Sequence, residues 1–134
     1  MKKPILSRGG IAHGQFYIDG DIMFGKALTS AYLLESQNAK YPRIIMCNSL
    51  IKEYGNDLCY RLLFEDNDCF QTVDFIGSLL SGYNTGLKDF LIFQQHILGV
   101  LDSTTDNAVR EKYIYLKDKL KLFHKHFKEV NPNI

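Results

Sequence analysis

Four groups of side chains in this sequence have types and spacings that could do chemistry. Glu65-Asp66-Asn67-Asp68 places three carboxylates and an amide in succession, the oxygen-rich composition that a hard cation takes. A calcium loop also needs a glycine at its sharp bend and a distal glutamate to close the shell. Neither stands here, so the run reads as a solvated hairpin turn. His124 and His126 are two residues apart, which on a helix points them to different sides, and they do not pair around zinc. His13 is a lone histidine on the more polar side of a strand. It reads as structural or exposed, with lining of a groove as the alternative. Cys47, Cys59 and Cys69 form an odd set without CxxC spacing, which fits reduced core thiols. Gly9, Gly10 and Gly14 do not spell GxGxxG and do not lead straight into a helix, so no phosphate cradle is expected. No serine sits in a nucleophile-elbow pattern. The residues predict neither a self-sufficient active site nor a metal site.

The elements that would carry these groups are organised around Arg8 to Cys47. Between Gly10 and Ile18, Ala12, Gly14, Phe16 and Ile18 alternate with His13, Gln15 and Tyr17, as in a half-buried strand. Gly9-Gly10 opens it with two residues lacking Cβ, which predicts a bulge or a close backbone approach. From Phe24 to Gln37 the period becomes helical, with Ala27, Leu28, Ala31, Leu34 and Glu35 at three- and four-residue steps. The small Ala27 and Ala31 let that helix lie close to its neighbour, and Tyr41-Pro42 stops it. Arg43 to Cys47 is a short apolar run, a strand buried on both faces. A short helix capped by Asn48 or Ser49 should run to Tyr54 and close at Gly55-Asn56-Asp57. Leu58 to Phe64 and Phe70 to Phe75 should pair as a hairpin across the acidic turn. Ser78 to Gly86 is a linker. Beyond it, Leu87 to Leu101 places Phe90, Phe93, Ile97 and Val100 on one helical face. After a loop at 102–106, Val109, Tyr113, Leu116, Leu120, Phe123, Phe127 and Val130 make a heptad seam. Lys117, Lys119, Lys121, Lys125 and Lys128 fall on its solvated side.

Phe24-Gly25-x-Ala27-Leu28-x-x-Ala31-Tyr32-x-Leu34-Glu35, preceded by an RGGI strand and followed by Pro42-Arg43-Ile44-Ile45, resembles the second half of a class III nucleotide cyclase domain of compact prokaryotic type. In that family the helix carries an asparagine that orients the ribose and an arginine that stabilises the phosphates. Here those two positions hold Thr29 and Leu33, and a leucine offers no positive charge to a developing phosphate. The base-reading position falls on Ile22. Only Met1 to Ser7 precede the matching stretch, so the family's two metal-binding aspartates are expected, if anywhere, on another chain. The resemblance makes Thr29, Leu33 and His13 the nucleotide-facing candidates. It makes Phe24, Ala27, Ala31 and Leu34 interface candidates, and the heptad seam adds Leu116, Leu120, Phe123 and Phe127.

With 134 residues, 46% of them hydrophobic and 13% aromatic, the chain can fill a modest core. A net charge of +1 gives no global field for nucleic acid or an anionic membrane. No segment reads as a membrane span, and the apolar run after Met1-Lys2-Lys3-Pro4 is too short for a leader; a cytoplasmic protein is expected. The expected fold is α+β. A ferredoxin-like or cyclase-like, mostly antiparallel partial sheet from Ile5–Ile18, Arg43–Cys47 and Tyr60–Phe75 is covered by the Phe24–Gln37 helix and occupies residues 1–80. A helical hairpin packed on it occupies 87–131. The expected function is a non-catalytic cyclase-like module acting in dimerisation or partner binding. The alternative is one subunit of a split cyclase, and only then would magnesium or manganese be needed. A homodimer, or pairing with a second cyclase-like chain, is the expected assembly.

Overall fold

The computed structural model describes residues 6–54, 63–77 and 86–130, with 86, 87 and 126–130 as backbone alone. The fold is mixed α+β, and it divides into two compact units, Ile5–Asp74 and Phe75–Ile134.

In the first unit, β1 (Gly9–Ile11) is followed by β2 (Tyr17–Asp19), β3 (Ile22–Phe24), α1 (Lys26–Leu33), β4 (Ile44–Met46), α2 (48–54), β5 (Leu63–Glu65) and β6 (Gln71–Val73). Four strands form one sheet in the order β1-β4-β6-β5. The β5–β6 hairpin is antiparallel across the acidic turn, as its sequence implied, and β6 runs antiparallel to β4 through Ile45↔Thr72. The sheet is thus mostly antiparallel, as expected, with one parallel edge. β1 and β4 are parallel, with Gly9, Gly10 and Ile11 facing Ile44, Ile45 and Met46. The reason lies in the connection: a helix between two neighbouring strands returns the chain to the end where the first began. Ile45 is wholly buried and Met46 nearly so, in keeping with a strand covered on both faces.

The long first strand is corrected. Residues 12–16 leave the sheet, Gly14 adopting φ +154, and the chain re-enters strand geometry only at Tyr17. β2 and β3 then pair with each other alone, Tyr17↔Phe24, Ile18↔Met23 and Asp19↔Ile22, around a turn at Gly20-Asp21. The alternation of Phe16 and Ile18 thus belongs to a separate two-stranded arm.

Helix α1 crosses the sheet at Gly10. A Cβ there would lie 2.8 Å from Leu34 Cβ and closer still to the Ala31 carbonyl oxygen. Only glycine permits this approach, so the predicted close contact is present. Just past the crossing the helix widens into a π-helical turn, Leu34–Asn38, closed by the Ala39 N–H donating to the Leu34 carbonyl at 2.9 Å. This turn leaves Ala39 fully buried, and Arg8 pairs with Glu35 beside it.

The second unit is led by α3 (Gly86–Ser103) and α4 (Asn107–Val130). Asp106 caps α4, its Oδ1 accepting from the Ala108 and Val109 N–H groups at 2.8 and 3.3 Å. The helices run antiparallel. Phe90 stacks on His124 with centroids 5.8 Å apart, His96 meets Tyr113, and Arg110 reaches the Leu101 carbonyl at 2.9 Å. Leu116 and Leu120 of the heptad seam and Phe90 and Ile97 of the expected face of α3 are buried, and Leu101 is buried with them. Lys119 departs from its expected wet side: it is buried, with its ammonium 5.5 Å from the Tyr115 ring centroid. A long apolar stem over an aromatic face lets a lysine occupy such a position. Gly55–Leu62, Ser78–Thr85 and the Phe127 and Val130 side chains, on which parts of the hairpin, linker and seam expectations fall, lie outside the described residues. Among the described residues no helix is long and apolar enough to cross a membrane.

Candidate functional site

The site that the resemblance pointed to is the outward side of α1. Thr29 and Leu33 are one turn apart and exposed there, so the helix does bring these two together. Thr29 spends its hydroxyl on the Gly25 carbonyl at 3.3 Å. Leu33 presents its isobutyl group to solvent. His13 is engaged elsewhere. Its Nδ1 is 3.3 Å from Glu53 and its ring meets Tyr54 edge-on at 5.7 Å, both partners lying on α2.

The proposed interface set divides by face. Ala27, Ala31 and Leu34 are half-buried on the side of α1 that packs against Gly10 and Gly14, so their smallness serves that crossing. Leu116 and Leu120 are covered within the helical pair, and Phe123 is half-buried. Phe24 is open. Around it the structure exposes an apolar surface much larger than the sequence reading assigned. Phe16, Tyr17, Ile18, Ile22, Met23 and Phe24 of the arm are each 44–65% exposed, and Leu28, Tyr32 and Leu33 extend the surface along α1. Tyr17 and Phe24 stack at 5.3 Å, and α1 touches β3. Gly25 fixes the root of the arm. It takes φ +142, and a Cβ there would approach Phe16 Cα to 2.9 Å.

The acidic turn is the second correction of chemistry. Asp66 and Arg43 have side chains only 3% and 2% exposed, and they form an ion pair at 2.8 Å. The same guanidinium donates to Asp68 and, at 3.1 Å, to the Asn38 carbonyl. The rings of Tyr41 and Phe70 flank it at about 6 Å. Asp66 also accepts from the Asn67 N–H at 2.7 Å. The hydrogen bond from Arg43 holds the Asp68 carboxyl below its usual range, and the two aspartates raise the guanidinium further above its own. This is a clamp between the start of β4 and the β5–β6 turn, and only part of that turn is solvated. Sequence gave one signal for it, a single arginine bordering an apolar run in a chain with an acidic tight turn.

The thiols also differ from a uniform core set. Cys69 is exposed in the turn with φ +64, and Cys59 lies outside the described residues. Cys47 is half-buried at the end of β4. Burial pushes its thiol up, but the Ser49 hydroxyl at 3.2 Å and backbone N–H groups of Leu50, His13 and Ser49 outweigh that and lower it. No group of three His, Cys, Asp or Glu among the described residues could hold a metal. Asp66 and Asp68 are both engaged by Arg43, so their carboxylates serve the clamp between β4 and the turn. Comparison with protein-family models, curated proteins and solved structures finds no match for the chain.

Proposed function

We propose that this chain is a cytoplasmic, non-catalytic module of the class III cyclase type, a cyclase-like half-domain whose work is to pair with a second cyclase-like chain, in the first place its own copy. The observation that carries the reading is the exposed apolar surface of the β2–β3 arm and α1. Side chains such as Ile18, Ile22 and Tyr32, each 65% exposed, are stable in water only at a cost that association removes. The order of strand, arm, helix and parallel strand between Gly9 and Met46 supports the cyclase-like part of the reading. Leu33 in the cationic position, and a Thr29 hydroxyl returned to its own helix, support the non-catalytic part.

Sedimentation equilibrium at micromolar concentration tests the proposal. The wild-type chain should associate, and Ile18→Glu with Ile22→Glu should be monomeric with an unchanged circular dichroism spectrum. A monomeric wild type overturns the reading. Incubation of the purified chain with ATP, GTP, CTP or UTP and either metal should yield no cyclic mononucleotide, and any product above a no-protein control overturns the non-catalytic part.

A further inference from the structure

We propose that α4 lays a row of cations against a bilayer surface bearing anionic headgroups, so that the helical unit docks on a membrane without crossing it. The net charge of +1 conceals an uneven distribution. Asn107–Val130 holds seven of the sixteen basic residues and three of the fifteen acidic ones, which gives this helix +4 and the rest of the chain −3. The cations are also ordered. Arg110, Lys117, Lys121 and His124 share a row with Ile114 at steps of three and four residues, one position on from the apolar seam, and Lys128 continues it in register. At 1.5 Å per residue the row runs about 27 Å. Glu111, Asp118 and Glu129 all fall outside it. Arg110 and Lys121 are exposed, Lys117 is half-buried, and none of the three enters an ion pair among the described residues. Lys117 and Lys121, one turn apart, repel each other, and a surface of opposite sign removes that cost.

Apolar groups beside the row decide which polyanion fits. Ile114 stands within it and is exposed. On α3, Leu98 lies one turn before Leu101, whose carbonyl accepts from Arg110 at 2.9 Å, and Leu91 lies a heptad further back; both leucines are exposed. A nucleic-acid backbone would answer the cations and leave these aliphatic side chains in water. A bilayer answers both, with anionic headgroups at its surface and an apolar layer beneath them. Lysine stems suit that boundary, since they lie along apolar material while the ammonium stays among the headgroups. The cytoplasmic leaflet carries the anionic lipid such a row needs, and each cation near the surface strengthens binding about fivefold. Arg110, Lys117 and Lys121 together then supply on the order of a hundredfold, the scale of a reversible, peripheral contact.

Co-sedimentation of the full chain with vesicles tests this, using phosphatidylcholine alone or phosphatidylcholine mixed with phosphatidylserine. The wild type should sediment with the mixed vesicles, stay in solution with phosphatidylcholine, and be released as salt rises. Lys117→Gln with Lys121→Gln keeps good helix formers and should weaken the binding about 25-fold. Lys40→Gln with Lys52→Gln removes the same charge from exposed positions of the sheet unit and should leave the binding unchanged. Ile114→Gln should weaken it without altering its salt dependence. Equal losses from the two lysine pairs overturn the row, because net charge alone would then be acting. A wild type that ignores the mixed vesicles overturns the proposal, and binding of a short DNA duplex in their place assigns the row to nucleic acid.

Discussion

Replacing Arg43 by methionine isolates the buried charge cluster that ties β4 to the β5–β6 turn. Methionine keeps much of the stem's volume but removes the guanidinium, so Asp66, with a side chain 3% exposed, loses the ion pair that Arg43 gives it at 2.8 Å. The half-buried Asn38 carbonyl loses its 3.1 Å partner, whereas Asp68, half exposed, turns to water at little cost. Leaving a buried charge without its counter-ion costs about 3–5 kcal/mol, a large part of the roughly 5–15 kcal/mol that holds a domain together. With a urea slope near 2 kcal/mol per molar, the midpoint should fall by about 2 M. Far-ultraviolet circular dichroism, with hydrogen exchange at the β4 and β6 amides, reads this in the sheet unit. Adding Asp66→Leu removes the stranded carboxylate and should recover most of the loss, because an apolar pair of similar volume is near neutral. The pH dependence has a defined sign. Arg43 depresses the folded-state value of Asp68, so this contribution is fully present above the ordinary aspartate value of about 3.9 and is lost as pH falls through the lower folded value. The gap between wild type and Arg43→Met should therefore narrow in acid. A midpoint within about 0.3 M of wild type, or a double variant as damaged as the sum of its parts, would refute the reasoning.

The remaining predictions concern the crossing at Gly10 and the thiol at the end of β4. Gly10→Ala must lift α1 off β1 and should cost about 1–3 kcal/mol by thermal melt. Gly9→Ala, whose Cβ would meet Ile44 at an ordinary 3.6 Å, should be close to neutral, and equal effects at the two positions would contradict the close approach. Ser49→Ala removes one of the donors that lower the Cys47 thiol, so the pH midpoint of its alkylation by iodoacetamide, followed on the Cys47 peptide, should move upward. An unmoved midpoint would show that the hydroxyl is idle.

The parts of the fold legible in the sequence are those with a clean period. Ala27, Ala31 and Leu34 announce both the helix and the side on which it packs, and the Ile44–Met46 run announces a doubly covered strand. The β1–β4 pairing was also within reach, since strand, helix and strand in succession imply a parallel crossover. The alternation from Gly10 to Ile18 misled because an exposed arm and a half-buried strand share a period of two. Nothing in that period says whether the apolar face meets a core or a partner. The Arg43 clamp was hidden for a different reason. Charged residues are read one at a time as solvated, whereas Arg43 and Asp66 are stable inside only as a pair, and their pairing across 23 residues of chain leaves no local pattern. Lys119 is the same lesson on a helix, where Tyr115 one turn earlier makes an inward lysine tolerable.

The pairing of Gly9 with Ile44 sets an order of assembly. β1 meets β4 only after the arm and all of α1 have been laid down between them, and the sheet closes only when Thr72 reaches Ile45. Ordering so long a loop precedes the hydrogen bonds that reward it, which makes this closure slow. α3 and α4 meet through the short 104–106 connection and can dock on the much faster scale of local helical contacts. On the ribosome the slow unit emerges first and the fast one last. The edge of β1 thus waits in the nascent chain until β4 has been made, with the apolar arm exposed throughout that interval.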